Sequence, residues 1–430
     1  MSCYSQNSAF SNAPRRVARL AGRLASKLAP WLSGTTRPRS DPRAFPSHGF
    51  DIIDDDFQLD EESFPGYSPG IFYPVQLGHI YNGRYQAVTK LGFGSCSTIW
   101  LARDLQEHRY ITLKFYIHNS LEHRELPFYE RLGQVVPSRH AGAARIRKLL
   151  SSFKVAGPHG THIVLVLEAA QMCLAHMDMM FMKGRGFDEG LVRSAVQEML
   201  YGLDFLHTHV QAVHTDIHAG NLLLGAQDDS IFKKLADEEM AHPSCRKPCA
   251  DRTIYSSRLM KPQVGPLLLS DFGEARLGPG PHAGHIMPVQ YRAPEVLLWI
   301  QWSYEVDIWS VGLTAWQLLE GKTLFTVKRA EDHISDSVIL SQLVAVLGPP
   351  PQELLKHNPE RSREYWDDDG TWHGIVPIPW EKTMEAAETK LEDKSKFLQF
   401  MRRTLAWDPS KRPTARELLD DPWLVEDSEA

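Results

Sequence analysis

With 430 residues, 43% of them hydrophobic and 23% charged, the chain has a globular composition and the length of two or three ordinary domains or one large bilobal unit. A net charge of −6 gives no global signal for nucleic acid, and no apolar run reaches the ~18 to 20 residues that a membrane span needs. The five cysteines are odd in number and scattered, which argues against a disulfide framework and for a reducing compartment; Cys245 and Cys249 have no second pair nearby to complete a zinc site.

Residues 1–40 hold no Asp or Glu but carry Arg15, Arg16, Arg19, Arg23, Lys27, Arg37 and Arg39. Wound as a helix, Val17, Leu20, Leu24, Leu28 and Trp31 share one face, and Arg16, Arg19, Arg23 and Lys27 share the neighbouring one. A basic, acid-free, amphipathic start suits a solvated tail, a mitochondrial transit peptide or a membrane-surface segment, whereas no secretory signal fits. Residues 1–50 are therefore read as a basic, disordered leader. Residues 51–84 follow as an extension of linker composition, with an acidic patch (Asp51, Asp54, Asp55, Asp56, Asp60, Glu61, Glu62) and then a Pro/Gly/Tyr-rich connector.

From residue 85 the pattern is β-rich. A strand runs into Leu91-Gly92-Phe93-Gly94-Ser95-Cys96-Ser97-Thr98-Ile99, where glycines between two strands let backbone amides approach phosphates closely. Many hairpins carry Gly-x-Gly, and the third glycine position is Ser97, so the motif is weak alone. Ile111-Thr112-Leu113-Lys114-Phe115 then alternates as a strand, and a lysine projecting just beyond such a loop can meet the α- and β-phosphates. Its acidic partner is expected on the next helix at Glu125, with Glu130 as the fallback and Pro127 tolerable only in a first turn. Thr161 to Leu167 reads as a buried strand, after which Glu168, Ala169 and Ala170 make a hinge.

The second half is helical. Leu191, Ala195, Met199, Leu203 and Leu206 share one helix face leading to His214-Thr215-Asp216-Ile217-His218-Ala219-Gly220-Asn221. Then come a polar insertion of low core content at about 225–266, Ser270-Asp271-Phe272-Gly273, Ala293-Pro294-Glu295, Asp307-Ile308-Trp309-Ser310-Val311-Gly312 and a late Arg412 placed to pair with Glu295. An Asp and an Asn five residues apart on a tight loop, with a second Asp on a later loop, can hold a hydroxyl nucleophile and a metal-bound phosphate together. Taken alone, such residues are as often turn formers.

In order, these motifs resemble the eukaryotic protein kinases over residues 85–424. The resemblance implies an α+β, bilobal protein kinase fold, with a small β-rich lobe at 85–169 and a larger helical lobe at 170–424. It implies ATP and Mg2+ as cofactors, with Asp216 orienting the substrate hydroxyl and accepting its proton while Asn221 and Asp271 hold Mg2+. The expected nucleotide contacts are Leu91, Gly92, Phe93, Gly94, Ser95, Ser97, Ile99, Lys114, Glu168 and Ala170, with Lys114, Glu125, Asp216 and His218 as the catalytic set. Small-molecule kinases of the aminoglycoside and choline kind share His-x-Asp-x-His-x-x-Asn but lack the Ala-Pro-Glu and Asp-x-Trp-Ser-x-Gly segments.

Within the protein kinases the chain is similar to the SR-protein kinase family, particularly its short fungal-type members. The similarity rests on Gly66-Tyr67, Asn82-Gly83-Arg84-Tyr85, Lys90-Leu91-Gly92-Phe93-Gly94, Phe153-Lys154, Gly160-Thr161-His162, His214-Thr215-Asp216 and the spacer before Asp271. The family implies a serine/threonine kinase, typically of Arg/Ser-rich splicing factors, working in cytoplasm and nucleus; the leader keeps a mitochondrial alternative open. A monomer without direct nucleic-acid contact is expected. His218 stands where most protein kinases have Lys near the transferred phosphate, which keeps a pseudokinase scaffold open as the alternative, and Pro288 and Val289 replace Thr and Arg near the substrate. The segment from Asp271 to Glu295 contains no Ser or Thr, and Thr215 replaces the Arg that pairs a loop phosphate elsewhere, so constitutive activity is expected. An acidic stretch from Glu353 to Asp393 is either a solvated face or a dock for a basic substrate.

Overall fold

The apolar runs between residues 80 and 168 form one six-stranded antiparallel sheet in the computed structural model, which describes residues 38–118, 124–135, 139–327 and 332–425. Its strands are β1 (Ile80–Tyr81), β2 (Tyr85–Gly94), β3 (Ser97–Asp104), β4 (Arg109–Tyr116), β5 (Leu149–Ala156) and β6 (Thr161–Glu168), in the order β1-β2-β3-β4-β6-β5. The alternation of β4 sends Ile111, Leu113 and Phe115 into a sheet core with Trp100 and Val164. Strand β6 is apolar from Ile163 to Leu167 because both its faces are covered there: Val164 and Val166 join that core, while Leu165 and Leu167 join the main core of the helical lobe. Helix α1 (Glu125–Gln134) follows β4 in the chain and carries Pro127 in its first turn, where a missing N–H costs nothing.

Short strands β7 (Ala170–Cys173), β9 (Leu222–Gly225) and β12 (Leu267–Leu269) form a second sheet beneath the hinge, β8 (Ala212–Val213) pairs with β13 (Arg276–Leu277), and β10 (Arg246–Pro248) pairs with β11 (Thr253–Tyr255) in the insertion. Helix α2 (Glu189–Phe205) starts where Asp188 accepts the Leu191 N–H at 2.9 Å, and it buries Val192, Ala195, Val196, Met199 and Leu203. Helix α3 (Ser230–Ala241) lies in the insertion; α4 (Glu305–Glu320) is wrapped on nearly every side, with Trp309 and Trp316 fully buried. Helices α5 (Asp332–Leu347) and α6 (Ser395–Thr404) complete the lobe. Glu295 and Arg412 pair as the sequence suggests, at 2.6 and 2.8 Å with both side chains fully buried, and Arg412 also donates to the carbonyls of Ala406 and Glu305. Four of the five guanidinium N–H groups thus have acceptors, the added hydrogen bonding that an ion pair removed from water requires.

Three expectations are corrected. The amphipathic leader lies outside the described residues, but 38–50 are docked: the Arg43 N–H donates to Gln86 at 2.9 Å, its guanidinium pairs with Asp237 at 2.8 Å, and Arg246 stacks on Phe50 at 3.9 Å. The acidic extension is no linker. Asp60 and Glu61 pair with buried Lys90, Asp60 accepts from the Ser257 N–H at 2.8 Å, and Glu62 meets Lys247 at 3.1 Å. Lys247 also donates to the carbonyls of Asp55 and Phe57, so its ammonium is fully engaged. The insertion likewise has a core: α3 buries Ile231, Phe232, Leu235 and Ala236 against Val88 and Leu101. Extension and insertion together form a brace over the small lobe.

Candidate active site

Strand β4 aims Lys114 into a cleft of about 520 Å³ between the lobes. Its ammonium lies 2.8 Å from Glu125 and 2.9 Å from Asp271, so helix α1, the strand and the Asp-Phe-Gly turn meet at one atom. Burial alone would push the Lys114 ammonium down, but the carboxylates of Asp271 and Glu125 outweigh it and hold it well above the ordinary amine range. The Asp271 carboxyl is pushed up by burial and pulled down further by Lys114, with a net shift below the usual carboxylate range. Its side chain is 48% exposed, so water screens part of this attraction. Tyr116 donates to the same Glu125 oxygen, and Phe272 stacks on Phe128 at 4.0 Å, which locks the turn against α1.

The catalytic loop is held from below. Asp307, fully buried in α4, accepts the backbone N–H groups of His214 and Thr215 at 2.8 Å each and contacts His207 at 2.9 Å. Thr215 and Asp271 take left-handed backbone, with φ of 68° and 61°, a conformation costing ~1–3 kcal/mol that packing must impose. Asn221 donates both amide protons to Asp216, at 2.8 Å to its carbonyl and 2.9 Å to its carboxylate, leaving the amide oxygen to meet a cation. His218 places Nε2 3.5 Å from the Asp216 carboxylate and 3.1 Å from the Asn221 amide. The Thr215 hydroxyl donates to the Glu274 carbonyl at 2.7 Å, so the residue that cannot pair a phosphate ties down the activation segment directly.

The cleft wall includes Leu91, Gly92, Phe93, Ile99, Lys114, Glu125, Ala170, Asn221 and Asp271 from the expected set. It does not include Asp216 or His218, which lie on the catalytic loop beside Asn221, nor Gly94, Ser95, Ser97 or Glu168. Gly94 pairs with Ser97 at the hairpin end, where the Ser97 side chain is buried, and Ser95 lies in the turn between them. Glu168 is set back from the wall, where its N–H donates to the Lys148 carbonyl and its own carbonyl accepts from Arg147. The hinge side of the wall is Ala170, Gln171, Met172 and Cys173. Sequence reasoning missed Arg147, a buried cation that also reaches Thr112 at 2.9 Å, and the brace residues Phe64 and Ser257 to Met260. Asp307 was visible as a motif, but its role as an amide clamp was not.

Two oxygen donors, Asp271 and Asn221, face this cleft, and hard cations take carboxylate and carbonyl oxygens. Among the described residues no cluster of three His, Cys, Asp or Glu could hold a metal alone. The donor set therefore fits Mg2+ that brings nucleotide oxygens with it.

A bilobal fold with this lysine, these carboxylates and this clamped loop defines a protein kinase. The protein kinase domain model matches residues 85–424, and the chain belongs to that family: it is a protein kinase, of the serine/threonine class its relatives carry. It is 41% identical over 393 residues to a serine/threonine protein kinase of Aspergillus fumigatus, covering 90% of this chain and 96% of that protein. It is 28% identical to the serine/threonine-protein kinase SRPK of Physarum polycephalum (86% and 92% covered) and 24% identical to SRSF protein kinase 3 of Homo sapiens (86% and 91% covered). Its resemblance to the SR-protein kinases thus extends over most of both chains. A solved kinase domain superposes with a TM-score of 0.64 at 19% identity, over 83% of this chain and 99% of that one, a likeness of fold. Nothing in these comparisons supports a scaffold or a small-molecule kinase.

Proposed function

We propose that this kinase transfers the γ-phosphoryl group of Mg-ATP to serine or threonine hydroxyls of proteins, with Asp216 as the base. The acceptor oxygen forms the new bond to phosphorus, the bond to the ADP oxygen breaks, and the hydroxyl proton goes to Asp216. Bound Mg2+ would neutralise phosphate charge, with Asp271 and Asn221 as its protein ligands. Lys114 supplies the fixed cation on the protein side. The observation that carries this reading is the simultaneous closure of Lys114 on Glu125 and Asp271 above an Asp216 already bonded to Asn221.

Arg/Ser-rich splicing factors are the proposed substrates, supported by relatives named SRPK and SRSF protein kinase. Against a broad acidic dock, many of the carboxylates between Glu353 and Asp393 are engaged within the chain: Glu353 with Lys356, Glu364 with Arg361, Asp368 with Arg363, Glu385 with Arg402 and Glu388 with Lys394. The kinase is proposed to act as a monomer in cytoplasm and nucleus, without direct nucleic-acid contact. The mitochondrial alternative is settled by imaging fluorescent fusions with and without residues 1–50. Activity and specificity are tested together by phosphorylation of a randomised peptide array, where label on Ser or Thr flanked by Arg is expected. An array labelled only on Tyr, or not at all, would end this reading.

A further inference from the structure

Strand β4 alternates, so Lys114 and Tyr116 leave it on the same face, opposite to Leu113 and Phe115. Burial follows that pattern: Phe115 packs in the sheet core, whereas Tyr116 joins the core of the helical lobe with Phe128, Tyr129 and Phe272. The Tyr116 hydroxyl donates to Glu125 Oε2, the same oxygen that Lys114 meets at 2.8 Å. The other carboxylate oxygen, Oε1, is buried with no hydrogen-bond partner among the described residues. Tyr116 borders the rest of the junction too: the Lys114 ammonium lies 5.1 Å from its ring centroid, and a Cβ on Gly273 would stand 3.9 Å from its hydroxyl. The strand end that carries it is fixed, because the His162 ring bonds the Tyr116 carbonyl at 2.8 Å.

Lys114 thus has two anchors of different kinds. The Asp271 side chain is half exposed and is a proposed ligand of Mg2+, while that of Glu125 is fully buried. Glu125 is the lasting anchor, and among the described residues the only other side chain that donates to it is Tyr116. We propose that Tyr116 is a positioning residue for phosphoryl transfer: it grips Glu125 so that Glu125 holds Lys114 where the nucleotide phosphates are met. This rests on the assignment of Lys114 to those phosphates. A carboxylate held by one flexible ammonium can swing about that contact. A second donor on a rigid ring, two residues along the same strand, stops the swing, and hydrogen bonds to charged groups are the strong class. A purely packing role for the ring would survive loss of the hydroxyl; a positioning role would not.

The test compares wild type, Tyr116→Phe, Glu125→Gln and the Tyr116→Phe/Glu125→Gln double in the full chain. It reads the steady-state rate on a Ser peptide from the array and the calorimetric Kd for Mg-ADP, which needs no peptide. Tyr116→Phe should lower kcat/KM for ATP roughly 10-fold and weaken Mg-ADP by a similar factor, with KM for the peptide changed less than about twofold. In the Glu125→Gln background the same change should cost less than about twofold, because no carboxylate remains to hold Lys114. Unchanged kcat/KM and Kd in Tyr116→Phe, or an equal loss in both backgrounds, would overturn the proposal. Wild-type protein that binds Mg-ADP and labels no peptide would instead overturn the kinase reading, and the Kd values would still decide this one. Thermal melts check folding; if Tyr116→Phe does not fold, Tyr116→Met, a flexible filler without a donor, carries the same two expectations.

Discussion

The catalytic centre and the brace on the small lobe are both built from charged residues, yet they were unequally visible. In the centre, function fixes spacing along the chain: Asp216, His218 and Asn221 fall within six residues, and Lys114 and Glu125 are eleven apart. In the brace, Lys90 meets Glu61 across 29 residues, Lys247 meets Glu62 across 185 and Ser257 meets Asp60 across 197. Local chemistry writes a motif, while long-range pairing leaves only a composition. The acidic patch therefore looked like a solvated linker until its partners were in place.

The two regions should fail differently. Asp216→Asn should lower kcat by ~10²- to 10⁴-fold with little change in melting temperature, as loss of a general base does. Comparable loss of stability in that variant would mean that Asp216 is structural. Glu295→Ala, which strands the buried Arg412 guanidinium, should cost about 3–5 kcal/mol in denaturant titration, because one partner of a desolvated pair is left alone. In the brace, Phe232→Ala should cost about 3 kcal/mol from the lost burial and the cavity it leaves. At substrate saturation its kcat should hold below the new melting temperature, and a selective fall in kcat would show that the brace takes part in chemistry. Arg363→Ala, which breaks the exposed pair with Asp368, should change stability by less than about 1 kcal/mol.

Much of the site was legible for a physical reason: phosphoryl transfer needs particular groups at particular separations, and Gly92, Lys114, Asp216, Asn221 and Asp271 carry that requirement in order. Strand and helix periodicity placed the sheet, α1 and α2. Glu168 lies back from the cleft wall, which residue type does not foretell, because it says nothing about where a carbonyl points; here that carbonyl accepts from Arg147. The left-handed backbone at Thr215 and Asp271 was equally hidden, since neither residue is a glycine and only the Asp307 clamp and the packed Phe272 explain it. Helix α3 could have been found, because Ile231, Phe232, Leu235 and Ala236 recur at helical spacing inside the charged insertion.

The central claim is the proposal that the catalytic centre needs no loop phosphorylation. It is supported by contacts that already tie the segment down: Thr215 holds Glu274, Gly278 donates its N–H to the Gln211 carbonyl at 2.7 Å, and β13 pairs with β8. The most direct measurement is the initial rate of bacterially made protein, treated with phosphatase and verified unphosphorylated by mass spectrometry, on the best array peptide. The account predicts an undiminished rate. A rate that collapsed on dephosphorylation and returned after treatment with another kinase would contradict it.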